Sequence, residues 1–329
     1  MAETIVPEKK LFHGFFFAQI LYGFRDPCHN RRRKNNGKSG LAMHDHGEKK
    51  EREPYVVGRK SFTAVAVNTA SKAGEWIKTK VGQFRTLQCK KSPTDLVTEV
   101  DKGAEQMIRS LIATHFPEHA FLGEESGKDG LTPEQAMEEE YVWIVDPLDG
   151  TINFVHGFPS FSVSIALAHR GEIIVGVVYD PGRDEMFVAE KGKGAYLHGR
   201  RMSVSKEDRL AVSLLAAGMP AIREDGLRNL DKLRSVASRV RSIRMMGSAA
   251  LHLAYVAAGR LGGYWEYGLN VWDLAAGVLL VKESGGRVTD LAGGPLLLTT
   301  RNIAATNGLI HDELLAEVGE GARGNGGSR

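Results

Sequence analysis

The sequence predicts a mixed α and β protein in two successive textures, an α+β half followed by an α/β half, and three observations carry that reading. Apolar residues at spacings of three and four open the folded region at Phe62. Short alternating runs divided by turn residues then fill Phe161 to Val204. Beyond Asp208, strand-like and helix-like runs alternate, the pattern of an α/β layer.

The first helix is drawn by Phe62, Ala66, Ala70, Ala73 and Ile77 and ends before Gly82. After Ser92-Pro93-Thr94 a second runs from about Asp101 to His115, with Ala104, Ile108, Leu111 and Ile112 on its buried stripe and Pro117 closing it. Ala120 to Gly123 and Tyr141 to Val145 read as strands. In the hairpin series Ser162 to Leu167 alternates, while Arg170-Gly171-Glu172 and Pro181-Gly182-Arg183-Asp184 supply turns, so a meandering antiparallel sheet is expected. The second half reads as a strand Val212 to Ala216, a helix Leu227 to Ser238, a strand Ser242 to Met245 and a helix from Ser248 to Gly259. A strand Gly263 to Glu266, a helix Trp272 to Ser284, strands Arg287 to Leu291 and Ile303 to Ala305, and a helix His311 to Val318 complete it.

The 329 residues, 42% hydrophobic and 25% charged, suffice for one large or two modest soluble domains. The net charge of +3 is small and its basic excess gathers before Lys60, so no nucleic-acid partner is expected of the folded region. Cys28 and Cys89 match no metal-ligand spacing, and a reduced, cytoplasmic setting without disulfide or zinc is expected. Leu11 to Phe24 is apolar, but at about 14 residues it is too short to cross a bilayer. His13 and Gln19 interrupt it and no small-residue cleavage signal follows, so neither a membrane span nor a signal peptide is expected. Residues 1–59 are expected to form a disordered extension, with Arg31-Arg32-Arg33-Lys34 as a solvated charge run and His44 and His46 as solvated side chains. The Gly-rich residues 319–329 are expected to fray.

The segment Trp143-Ile144-Val145-Asp146-Pro147-Leu148-Asp149-Gly150-Thr151 is the richest in chemistry. An apolar strand delivers two carboxylates at its exit, Pro147 fixes the turn, and Gly150-Thr151 can open a helix whose free N–H groups suit phosphate. Carboxylates brought close without counter-charge are costly unless a hard cation such as Mg²⁺ neutralises them. Asp-Pro and Asp-Gly are also ordinary turn formers, so two readings stand on this segment alone. Glu124 and Glu125 end another strand and read equally as a loop; Asp273 opens an apolar helix and reads equally as a dipole-complementing acid.

Taken together, Asp146 to Thr151, Gly123-Glu124-Glu125-Ser126 and Trp272 to Gly277 with Glu283-Ser284-Gly285-Gly286 resemble the two signature regions and the metal-ligand segment of the inositol monophosphatase family. The likeness extends through Lys91 to Asp101 and Ala249 to Tyr255, and Ala254 to Arg260 resembles the bacterial inositol-1-monophosphatase branch. The resemblance implies a layered αβαβα sandwich of the inositol monophosphatase and fructose-1,6-bisphosphatase type. In it residues 60–206 form an α+β half with the metal site and residues 207–318 an α/β half, and the chain is a homodimer.

What the resemblance implies about chemistry is Mg²⁺-dependent hydrolysis of myo-inositol 1-phosphate to myo-inositol and phosphate, by direct attack of a metal-activated water. Two to three Mg²⁺ are expected, with lithium sensitivity. Glu124, Asp146 and the Leu148 carbonyl should hold the first metal, and Asp146, Asp149 and Asp273 the second. A third, weaker metal should lie near Glu124; Asp101 and Thr151 orient the water. Asp149, Gly150, Thr151, Ser248, Ala249, Glu266 and Asp273 are expected against the substrate, with Lys91 near the phosphate. The physical logic agrees: an anionic nucleophile must approach an anion, and divalent cations neutralise both attacking and leaving oxygens. Fructose 1,6-bisphosphate, histidinol phosphate, nucleotide 3′-phosphates and NADP are the alternative esters on this fold, and some bacterial relatives add a contact with the transcription machinery. Ile152 stands where the family often has a second threonine.

Overall fold

The computed structural model describes residues 61–83, 87–89, 96–126, 131–219 and 223–319. The readings made for 1–59, for Lys91 and for the tail past Gly319 lie outside the described residues.

Helix α1 (Phe62–Lys78) starts at an N-cap, Ser61, whose side chain accepts the Ala64 N–H at 3.2 Å. A hairpin of β1 (Leu87–Cys89) and β2 (Leu96–Thr98), which the sequence pattern does not disclose, leads into α2 (Glu99–Ala113). That helix begins ahead of the predicted Asp101 because Thr98 caps it and Asp101 takes the third position of a capping box.

Next come β3 (Ala120–Gly123), a short helix α3 (Pro133–Ala136) opened by a capping box of Thr132 and Gln135, β4 (Tyr141–Asp149) and α4 (Thr151–Val155). Five further strands follow: β5 (Ser162–His169), β6 (Glu172–Asp180), β7 (Glu185–Glu190), β8 (Gly194–Leu197) and β9 (Arg200–Arg201). These make the predicted meander, one seven-stranded sheet ordered β3-β4-β5-β6-β7-β8-β9 in which only the β3/β4 pair is parallel.

Val212 belongs to a 3-10 turn (Leu210–Val212) rather than to the predicted strand, and β10 begins at Leu214 (Leu214–Ala217). Then follow α5 (Arg223–Val236), β11 (Ser242–Arg244), α6 (Ala249–Ala257), β12 (Gly263–Tyr267), α7 (Val271–Glu283), β13 (Arg287–Thr289), β14 (Asn302–Thr306) and α8 (His311–Val318). The second sheet is ordered β11-β10-β12-β14-β13, with β11, β10 and β12 parallel and β14 antiparallel to both its neighbours.

Alternation along the strands sorts the core into layers. Trp143, Val145, Val163, Ile165, Val175 and Val177 face α1 and α2. From the same strands Val142, Ile144, Ala166, Ala168 and Val178 face the opposite way, onto α6 and α7 and the inner side of the second sheet. Trp265, Tyr267, Leu215 and Ala217 pack outward against α5 and α8. The order is therefore helix, sheet, helix, sheet, helix, the expected αβαβα sandwich. Because the large sheet is covered on both faces, its strands read as nearly continuous apolar runs. Among the described residues no helix is long and apolar enough to cross a membrane.

The middle layer tolerates no slack. A Cβ placed on Gly176 of β6 would lie 2.6 Å from the Ala276 carbonyl oxygen and 3.1 Å from its Cα, so α7 rests on bare strand backbone there. Gly176→Ala is expected to lower stability by about 1–3 kcal/mol, because helix backbone cannot move aside as a side chain can; urea unfolding measures it, and an unchanged midpoint would contradict the close approach.

Candidate active site

Strand β4 does not stop at Val145, as its apolar run suggests, but continues through the acids. Asp146 pairs with Ser164 and Asp149 with Ser162 of β5, so three steps on β4 oppose two on its partner. That extra residue is a bulge, and Pro147 sits inside it, where a missing N–H is tolerated. In a regular strand, residues three apart point to opposite faces. The bulge reverses the parity, so Asp146 and Asp149 share the α6 side of the sheet while Val145 and Leu148 both pack toward α1 and α2.

Asp149 is turned onto the start of α6. It accepts from the Ser248 hydroxyl at 2.5 Å, from the Ala250 N–H at 2.9 Å and from the Ala249 N–H at 3.3 Å, with the Ser162 hydroxyl at 3.3 Å. Burial pushes its carboxyl up to about 6, against the lowering effect of the Ser248, Ala250 and Ala249 donors. Asp146 accepts the Leu148 N–H at 3.0 Å; burial drives it well above the carboxylate range, and Glu124, Asp149 and Asp273 add repulsion. Asp273 is the helix-start acid that its sequence position suggested, accepting the Asn270 N–H at 2.7 Å, yet burial first and then Glu124 and Asp149 hold it high as well. Glu124 follows β3, its N–H donating to the Val145 carbonyl at 3.2 Å. The predicted acids thus act on one another electrostatically from three separate elements.

Asp101 and Thr151 meet on the other side of the strand exit. The Thr151 hydroxyl lies 2.8 Å from Asp101 Oδ1 and 3.1 Å from the Leu148 carbonyl oxygen. Thr98 donates to Asp101 Oδ2 from its N–H at 2.8 Å and its hydroxyl at 2.6 Å. With its proton directed to Asp101, the Thr151 oxygen keeps lone pairs to accept from a water. Gly150 carries φ +95°, and a Cβ there would lie 2.9 Å from the Ser160 carbonyl oxygen and 3.1 Å from that of Gly247, so only glycine fits the turn into α4. Glu266 of β12 accepts from the Tyr264 hydroxyl at 2.5 Å, and burial lifts it to about 8.

Three residues that the sequence reading passed over hold this arrangement. Glu105 is buried on α2 and accepts from the Glu125 N–H at 2.7 Å and the Ser126 hydroxyl at 2.6 Å, and it packs directly against Gly123; it fixes the turn that carries Glu124. The signal was present, since position 105 falls on the same stripe as Asp101, Ala104 and Ile108. Asn153 donates at 2.6 Å to both the Ser160 and Met246 carbonyls, joining α4 to the turn before α6. His252 accepts the Met246 N–H at 3.1 Å, and burial lowers it to about 3, so it is neutral. The Asn153–Met246 contact joins residues far apart in sequence and the His252 contact closes around the turn before α6, and no local pattern announces either.

Among the described residues no three carboxylate, imidazole or thiolate groups converge into a ready-made cation cage. The reason is on view: Asp149 and Asp273 are each turned onto backbone amides. The chemistry of the donor set nonetheless fits a hard cation. Every predicted ligand offers oxygen, Asp146 and Asp149 are buried, and the leading charges acting on Asp146 are all carboxylates. A cluster of raised carboxyls at the edge of a sheet is characteristic of functional sites.

Comparison with known proteins agrees. A sequence model of the inositol monophosphatase family matches residues 59–322. The inositol-1-monophosphatase of Mesorhizobium japonicum is 41% identical over 264 residues, covering 80% of this chain and 97% of that protein. The Nus factor SuhB of Pseudomonas aeruginosa is 42% identical over 259 residues, covering 77% and 94%. The crystal structure of the extragenic suppressor protein suhB from Bartonella henselae superposes with a TM-score of 0.71 at 43% identity, covering 78% of this chain and 98% of that one. With these likenesses spanning the whole sandwich and its acid cluster, the chain belongs to the inositol monophosphatase family and is a phosphoric monoester hydrolase.

Proposed function

We infer that this phosphatase hydrolyses myo-inositol 1-phosphate with Mg²⁺ as cofactor. The observation that carries the reading is the buried pair Asp146 and Asp149, set on one face by the β4 bulge, with Asp273 acting on both electrostatically. Glu124, Asp146 and the Leu148 carbonyl would hold one Mg²⁺, Asp146, Asp149 and Asp273 a second, and Glu124 a weaker third; bound there, Mg²⁺ supplies neutralising charge to the phosphate and lowers the pKa of water.

The chain's own groups do the rest. Thr151 Oγ1, donating its own proton in a hydrogen bond to Asp101 Oδ1, would accept a hydrogen bond from the attacking water and aim it. The Gly150 and Thr151 amides orient phosphate oxygens. Glu266, Ser248, Ala249 and Asp149 meet the hydroxyls of the alcohol; Ser248 and Ala249 are already hydrogen-bonded to Asp149, so alcohol recognition and the acid cluster are mechanically linked. Homodimer formation, lithium inhibition and a cytoplasmic setting belong to the same reading. A second role, in the transcription machinery, is favoured by the likeness to proteins named Nus factor SuhB; such a role is expected to survive Asp146→Asn.

Asp146→Asn is expected to lower kcat/KM for Mg²⁺-dependent phosphate release from inositol 1-phosphate by about 10²–10³-fold; activity within twofold of wild type would sink the site assignment. Thr151→Ala is expected to cut kcat by about 10²-fold with little change in KM, since a water-aiming hydroxyl acts after substrate binds. Stability provides an independent check. Folded-state values raised to about 6 at Asp149 and about 8 at Glu266 mean that folding favours their protonated forms. Their stabilising contribution is full below about pH 4 and is lost as pH rises through about 6 and then about 8. In a chelator the melting temperature should fall across that window, and Asp146→Asn, by removing one repelling acid, should melt higher than wild type at about pH 8. A flat profile, or a lower melting variant, would contradict the electrostatics.

A further inference from the structure

A cavity of about 450 Å³ opens beside α7, within the size range of small-molecule sites, and none of the acids of the cluster lines it. Its floor is one stripe of that helix, Val271, Leu274, Ala275, Val278 and Leu279, which recur at i, i+3, i+4, i+7 and i+8. Ile173 of β6, Met137 after α3 and the run Leu296-Leu297-Leu298 complete the apolar lining. Leu296 and Leu298 pack on the core, while Leu297, its N–H held by the Thr300 hydroxyl at 2.9 Å, stays 53% exposed. The backbone thus holds an apolar side chain at the opening of an apolar cavity.

The charged lining sets three cations, Arg170, Lys191 and Lys282, against two acids, Glu172 and Glu283. Both acids are engaged. Glu172 pairs with Lys191, and Glu283 accepts the Gly192 and Gly194 N–H groups, each at 2.8 Å. Lys282 has no ionic partner among the described residues. The Arg170–Glu140 pair spans 3.5 Å between side chains 73% and 66% exposed, which holds neither firmly. Arg170 also stands where the backbone disfavours it. Arg170-Gly171 is the two-residue loop between β5 and β6, closed by the His169–Glu172 pair, with φ of +49° and +77°. Asparagine is the usual first residue of such a turn. The other non-glycine residues with positive φ among the described residues, Asp184 and His198, are of types that tolerate it. An arginine in that conformation at the edge of a cavity is the kind of local strain that accompanies binding.

We propose that this cavity binds a fatty carboxylate, its alkyl chain along α7 and its carboxylate between Arg170 and Lys282. A monoanion cancels the one surplus positive charge of the lining, and a guanidinium meets a carboxylate as a matching fork. The floor offers no polar side chain that the chain would strip of water, so each methylene contributes its transfer free energy. A helix from a partner protein, roughly 10–12 Å across, would fill the space with a single turn, too little contact for a stable complex. The site is separate from the phosphatase chemistry and stands or falls apart from it.

Calorimetric titration of the full chain with hexanoate, octanoate and decanoate tests this, with acetate as the head alone and decanol as the chain alone, in wild type and in Arg170→Asn/Lys282→Gln. Both substitutions lie on the surface and asparagine suits the left-handed turn, so the fold is kept. Wild type should bind decanoate saturably, with affinity rising roughly fourfold for each methylene added along the series, and should not bind acetate. The double variant should bind decanoate roughly tenfold more weakly, the size of a lost charge-assisted hydrogen bond, and decanol as well as wild type does. No saturable binding of decanoate, or equal binding by the double variant, overturns the proposal. If decanoate fails to bind and Leu297→Arg splits a dimer in sedimentation, it is overturned in favour of a contact between copies of this chain.

Discussion

Carboxylates taken out of water lose hydration and repel one another at short range, so burying Asp146 and Asp149 with the half-buried Asp273 acting on them demands compensation from the surrounding backbone. That compensation is visible as donors. Asp149 rests on the amides and hydroxyl at the start of α6, Asp273 on the amide of Asn270 and Asp146 on that of Leu148. What these donors leave unbalanced stays as raised carboxyl pKa values, and that residue of unneutralised charge is the capacity of the site to take up protons or a hard cation.

The architecture reads as the means of holding this cluster. Bringing acids from β3, β4 and α7 to one place requires the ends of both sheets to meet a common middle layer, and α6 and α7 form that layer. The bare backbone of Gly176 under Ala276 brings α7 close to the large sheet, and so brings Asp273 toward Asp146 and Asp149. Glu105 on α2 and Asn153 on α4 brace the two remaining edges, the turn after β3 and the turn before α6. Each is a side chain acting on backbone, the commonest way in which a loop is held in one geometry.

In the proposed reading the phosphate end would face carboxylates, a hydroxyl and amides, which suit every phosphate monoester alike. Discrimination among alcohols falls to the walls, and Glu266, buried against the Tyr264 hydroxyl, is the wall acid of the proposed reading. Family and fold are shared with relatives named inositol monophosphatase, and specificity is carried by positions grafted on the fold rather than by the fold itself.

Local pattern determined much by itself. The meander of the first sheet, the strand and helix alternation of the second, and helix α8 at His311–Val318 were legible because alternation and helical spacing are short-range properties. The acids were legible as motifs, and the resemblance assigned them one site. What only the tertiary structure decided is how those acids face. Asp146 and Asp149, three apart in an apolar strand, belong on opposite faces by parity, and only pairing with Ser164 and Ser162 across the bulge turns them the same way. Glu105 stood on a legible helix stripe but its partners did not, and Asn153 and His252 stayed hidden because they act on backbone far along the chain or around a turn. Register, burial and through-space repulsion depend on which segments lie side by side, and spacing along one chain carries no record of that.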